Sequence, residues 1–169
     1  MEQAKKGKAL TLALALAVTA LSPLGDCGMG IAAGCAAAPR LLHPLFHANV
    51  PHAALNAWAL LSVAFTYGVS PRRLALAWLA SSAFPAAAFG VQKPVVGLSG
   101  VVFFLFATLL FRVRRKVYFS AWMAAYLAAG FLLPGMGGWL HLWCFALGLA
   151  AAALNAPFKI KARDGKGCR

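Results

Sequence analysis

Six apolar runs divide this chain, and the lysines and arginines between them restrict what it can fold into. The runs cover residues 9–24, 47–67, 74–90, 97–111, 117–133 and 139–155. With 62% of residues hydrophobic and 11% charged, no polar exterior for a soluble domain can be assembled. The expected fold is an all-α polytopic membrane protein, a bundle of six transmembrane helices over residues 9–156. Residues 1–8 form a basic leader to it and 157–169 a basic tail. The net charge of +13 invites a nucleic-acid reading, but the basic residues sit in short clusters between apolar runs. No basic stripe interleaved with aromatics exists, so no nucleic-acid partner is expected. Under six spans, fourteen of the sixteen basic residues fall on one side, and Arg40 and Lys93 on the other. The positive-inside rule then puts both termini in the cytoplasm.

The first run has a basic head and an apolar middle, as a signal peptide does. Cleavage would leave five helices and an odd topology, so it reads as the first membrane helix. Residues 25–46 are too apolar for an ordinary loop and too broken by Gly and Pro for a span; an interfacial segment fits them. Cys27 and Cys35 lie there, eight residues apart, either paired in an oxidising compartment or free in a shielded loop. Cys144 stands in the last apolar run and Cys168 in the tail, so no metal-ligand cluster is visible. The three acids, Glu2, Asp26 and Asp164, all lie outside the runs, which leaves no membrane carboxylate for a relay, a metal or a triad.

The fourth run opens on Gly97-Leu98-Ser99-Gly100. A helix from Ser99 to the basic residue Arg112 would rise roughly 20 Å, two thirds of a hydrocarbon core of about 30 Å. His141 in the sixth run stands roughly 21 Å from Asn155 by the same measure, so a hydroxyl and an imidazole share one depth on parallel helices. In the second run Pro51 suits the first turn of a helix, and His52 and Asn56, spaced i and i+4, share one face in the outer leaflet. Each feature has a structural explanation too. Small residues let membrane helices approach, and polar side chains hydrogen-bond between them.

Taken together they supply what peptide hydrolysis needs: a nucleophile, a base and donors for an oxyanion. Ser99 would be the nucleophile, His141 the base, and His52, Asn56 and the Ser99 N–H the donors. Without a carboxylate the machinery must be a dyad.

In these residues the chain resembles the rhomboid intramembrane serine proteases: His47, His52 and Asn56 at the second span, Gly97-Leu98-Ser99-Gly100 at the fourth, His141 in the sixth. The resemblance implies the minimal six-helix bacterial form, located in the inner membrane. It implies a Ser99–His141 dyad without cofactor or metal, acting on a single-span membrane protein. By carry-over His47 would shape the outer loop and hole. Gly148, and Gly97 with Gly100, would let the fourth and sixth helices pack closely. The chain also departs from the family. Phe103 stands where a tyrosine often stacks on the catalytic histidine, Leu140 and Cys144 replace small residues beside it, and Arg40 lacks the usual Trp-Arg pair. Two other classes remain: a non-catalytic rhomboid-like binder of transmembrane segments, and a small channel or transporter. The first would lack the serine or the histidine, and the second calls for intramembrane acids or broken inverted pairs.

Overall fold

The computed structural model describes residues 2–133 and 135–155. The basic tail, Cys168 and Asp164 lie outside the described residues. Among the described residues seven α-helices account for nearly all regular structure: α1 (Glu2–Leu21), α2 (Ala37–Leu42), α3 (Val50–Val63), α4 (Pro71–Ser82), α5 (Ser99–Leu109), α6 (Lys116–Leu132) and α7 (Gly138–Asn155). Among the described residues no strand forms; a single antiparallel bridge joins Ile31 to Val95. The all-helical expectation holds.

Local chemistry sets the helix starts. Asn49 caps α3, its Oδ1 accepting the His52 N–H at 2.8 Å, and Pro51 occupies the first turn. Ser70 caps α4 in the same way through the Arg73 N–H at 3.3 Å, ahead of Pro71. The helix ends depart from the apolar runs. The run 74–90 is helical only to Ser82, because Pro85 disfavours helix at the residue before it; residues 83–90 turn instead. The run 47–67 relaxes after Val63 into a π turn, Ala64–Gly68, closed by Gly68 at φ +70°. Residues 25–46 hold α2 and a 3₁₀ turn, His43–Leu45, rather than one continuous segment. Cys27 and Cys35 are both free thiols.

These trims matter for the span count. Among the described residues one stretch, Lys5–Leu24, is both long and apolar enough to cross a bilayer. Ser99–Leu109 and Gly138–Leu154 are apolar but shorter, and α4, at twelve residues, rises roughly 18 Å.

Nearly every side chain of α5 is buried, as expected of a helix apolar all round, and the others assemble against it. α7 runs alongside it in parallel register. His141 meets Ser99 and Phe103, Cys144 meets Gly100, and Gly148 meets Phe104 and Ala107. Gly148 lies so close that an added Cβ would collide with the Phe104 carbonyl oxygen, and would stand 2.7 Å from Ala107 Cβ. α4 flanks the pair, and α1 packs on α3. α6 is peripheral, burying only Met123 and Gly130. The exterior is apolar: Val117 is 85% exposed, Leu132 79%, Trp58 68% and Leu55 65%. The interior, conversely, holds His43, His47, Asn56, Ser81, Ser82 and His141.

Candidate active site

Ser99 is the first residue of α5, and its position follows from the segment before it. Gly97 adopts φ +121°, a conformation that strains any side chain, and turns the chain into the helix. A Cβ there would also stand 2.9 Å from His52 Cε1 and 3.5 Å from His47 Cδ2, so the glycine makes room for two imidazoles. His47, fully buried, accepts the Leu98 N–H on Nε2 at 3.1 Å, and its ring meets His52 edge-on at 5.0 Å. One residue further back, the Gly97 N–H donates to the His43 carbonyl at 3.0 Å. The Ile31–Val95 bridge ties the same segment to the first loop through two bonds of 2.9 and 3.0 Å. Four contacts thus fix the approach to Ser99.

His141 Nε2 stands 2.8 Å from Ser99 Oγ. The two positions matched in depth by helix rise are therefore in direct contact. Phe103 stacks on the imidazole at 4.4 Å and 19°, so the ring contact survives without a tyrosine hydroxyl. On the other side Gly130 of α6 approaches so closely that a Cβ would stand 2.9 Å from His141 Nδ1. That nitrogen is buried with no hydrogen-bond partner. Accepting the serine proton on Nε2 requires the Nδ1–H tautomer, and among the described residues no carboxylate meets it.

The expected oxyanion residues are placed unequally. His52 lies against Gly97, half-buried, beside the approach to Ser99. Asn56, buried one turn deeper on α3, donates from Nδ2 to the His52 carbonyl at 2.9 Å. One of its two amide hydrogens is therefore engaged within its own helix, and the other is available. The first N–H groups of α5, beginning with Ser99, have no partner within the helix and form its positive end.

The expected glycine roles divide. Gly148 does bring α5 and α7 together, and Gly97 serves the histidines instead. Gly100 faces both flanking helices: a Cβ there would lie 2.5 Å from Ser81 Oγ on α4 and 3.1 Å from Cys144 Sγ on α7. Leu140 and Cys144, expected as bulkier neighbours of the histidine, are fully buried against this face.

Sequence reasoning missed a second polar layer beneath the serine. His43 donates from Nδ1 to the Arg40 carbonyl at 3.0 Å, which leaves Nε2 to accept the Ser81 hydroxyl at 3.0 Å. Burial, with the Arg40 charge nearby, pushes the His43 pKa down to about 4, against hydrogen bonding to the Arg40 and Pro39 backbone. Arg40 in turn donates to the Ser82 and Phe84 carbonyls at 3.4 and 2.9 Å, holding the broken end of α4. The available signals were His43 itself, clustered in sequence with His47, Asn49, His52 and Asn56, and a hydroxyl pair, Ser81-Ser82, inside an apolar run; their pairing was not legible.

No protein-family model, curated protein or solved structure matches the chain.

Proposed function

We propose that the chain is an intramembrane serine endopeptidase of the rhomboid type, cutting a single-span membrane protein near its outer membrane face. The observation that carries this reading is the 2.8 Å contact between Ser99 Oγ and His141 Nε2 at the head of a buried helix. His141 takes the Ser99 proton on Nε2 as the oxygen attacks the substrate carbonyl. The same proton then goes to the leaving amine, and a water repeats the sequence to release the acyl group. The stacked Phe103 ring and the close approach of Gly130 hold the imidazole plane, the orienting task that a carboxylate performs in a triad. The developing oxyanion meets the positive end of α5, the Ser99 N–H, the His52 ring and the free amide hydrogen of Asn56.

The membrane reading rests on the apolar exterior and polar interior together with the one-sided basic clusters. Six crossings with both termini cytoplasmic, in a bacterial inner membrane, are the arrangement that fits it. Helices as short as α4 and α5 require the apolar turns at their ends to complete the crossing. The experiment is cleavage of a single-span reporter protein in proteoliposomes. Wild type should cut it and Ser99→Ala should not. Equal cleavage by both would refute the dyad, and capture of the reporter without cutting would favour the non-catalytic binder.

A further inference from the structure

At the end of the bundle away from Ser99, a cavity of about 400 Å³ opens between the start of α4 and the ends of α5 and α7. Thr108, which borders it, lies nine residues along α5 from Ser99, roughly 14 Å of helix, so the two sites are separate. Arg72, Arg73 and Arg112 line it, and among the described residues no carboxylate does. Among the described residues the acids lie elsewhere: Glu2 pairs with Lys6 at 2.7 Å, and the Asp26 side chain accepts the Gly28 N–H.

Arg72 and Arg112 are exposed at the mouth, whereas Arg73 is half-buried and its Nη1 is enclosed without a hydrogen-bond partner. A guanidinium N–H withdrawn from water with no acceptor is costly. Burial, and then the nearby Arg112 charge, both work against the charged form of Arg73. An anion in the cavity would remove both penalties. The capped N-terminus of α4, with Ser70 on the lining, adds the positive end of a helix dipole. Planar, forked guanidiniums match phosphate oxygens bidentately. Apart from Thr108, the remaining wall is apolar, with Leu76, Phe104 and Phe111, and Leu76 and Phe111 continue onto the exposed exterior.

We propose that this cavity is a phosphate site in which Arg72, Arg73 and Arg112 receive the headgroup phosphate of an anionic phospholipid. The guanidiniums take the phosphate oxygens, and the acyl chains leave along Leu76 and Phe111. Basic clusters on the same side of the membrane place the cavity at the leaflet where such lipids are recognised by basic pockets. The site does not depend on the Ser99–His141 chemistry.

The test is thermal unfolding of the purified full chain in an uncharged detergent, titrated with phosphatidylglycerol, phosphatidylcholine or inorganic phosphate. Phosphatidylglycerol should raise Tm by about 5 °C at saturation, and phosphatidylcholine should not. Arg73→Gln should lose most of that shift. Arg114→Gln with Lys116→Gln, which removes charge from the same face outside the cavity, should keep it. Arg72 is exposed at the rim, so Arg72→Gln provides a variant that folding tolerates; it should lose part of the shift. A shift produced equally by inorganic phosphate, and lost in Arg73→Gln, would retain the site and overturn the lipid as its occupant. Equal shifts in wild type, Arg73→Gln and Arg72→Gln, or none with phosphatidylglycerol, would overturn the site itself.

Discussion

Gly100→Ala inserts a methyl group where α4, α5 and α7 meet, one residue from the candidate nucleophile. The new Cβ would stand 2.5 Å from Ser81 Oγ, about 1 Å inside ordinary contact, and 3.1 Å from Cys144 Sγ. Overpacking of that size costs about 1–3 kcal/mol. Ser81→Ala removes the obstructing oxygen, but leaves His43 Nε2 buried without its donor, also about 1–3 kcal/mol. In the double variant the worst clash is absent. Only Cys144 Sγ and Leu140 Cγ, at 3.1 and 3.3 Å, must yield by a few tenths of an ångström. The pair should therefore cost little more than Ser81→Ala alone, a coupling of at least about 1 kcal/mol relative to the sum. Reversible unfolding in mixed SDS–detergent micelles, applied to all four proteins, measures it. Additivity within about 0.5 kcal/mol would mean that Gly100 and Ser81 do not share the space described, and the packing behind the serine would have to be redrawn.

Other consequences are more local. The fold holds His43 neutral, with a pKa near 4 against 6.5 in the unfolded chain, so its stabilising effect is complete above about pH 6.5. It is lost as pH falls toward 4: between pH 7.5 and 4.5 wild type should lose roughly 2.5 kcal/mol more than His43→Gln, in parallel unfolding titrations. Equal pH slopes would show that the imidazole is not held neutral. Phe103→Tyr keeps the ring stacked on His141 and should react with a fluorophosphonate within a few-fold of wild type. Phe103→Ala leaves the imidazole unsupported and should react about 10–100-fold more slowly. Similar rates for the two would remove Phe103 from any positioning role.

What the sequence discloses about this site follows from the regularity of the α-helix. A fixed rise per residue carries Ser99 and His141 to one depth, measured from Arg112 and from Asn155, and the two side chains do meet. His52 and Asn56 follow from i,i+4 spacing on a helix whose start Pro51 announces. The polar layer of His43 and Ser81 is different. It joins a 3₁₀ turn to the last turn of α4 across 38 residues, and no local periodicity records a pairing of that kind. Gly130 is equally silent, an ordinary helical glycine until α7 lays His141 against it. The early end of α4 was available in Pro85, but the apolar residues that resume after Ser81-Ser82 and run to residue 90 concealed it, since hydropathy reports burial preference and not backbone geometry.

The central claim is that Ser99 is an activated nucleophile with His141 as its base. The most direct measurement is fluorophosphonate labelling of the purified chain in detergent, with wild type compared with Ser99→Ala and His141→Ala. Wild type should label covalently at Ser99, and both variants, folded as judged by their unfolding transitions, should not. A folded wild-type protein that does not label, or labelling that persists in Ser99→Ala, would contradict the account.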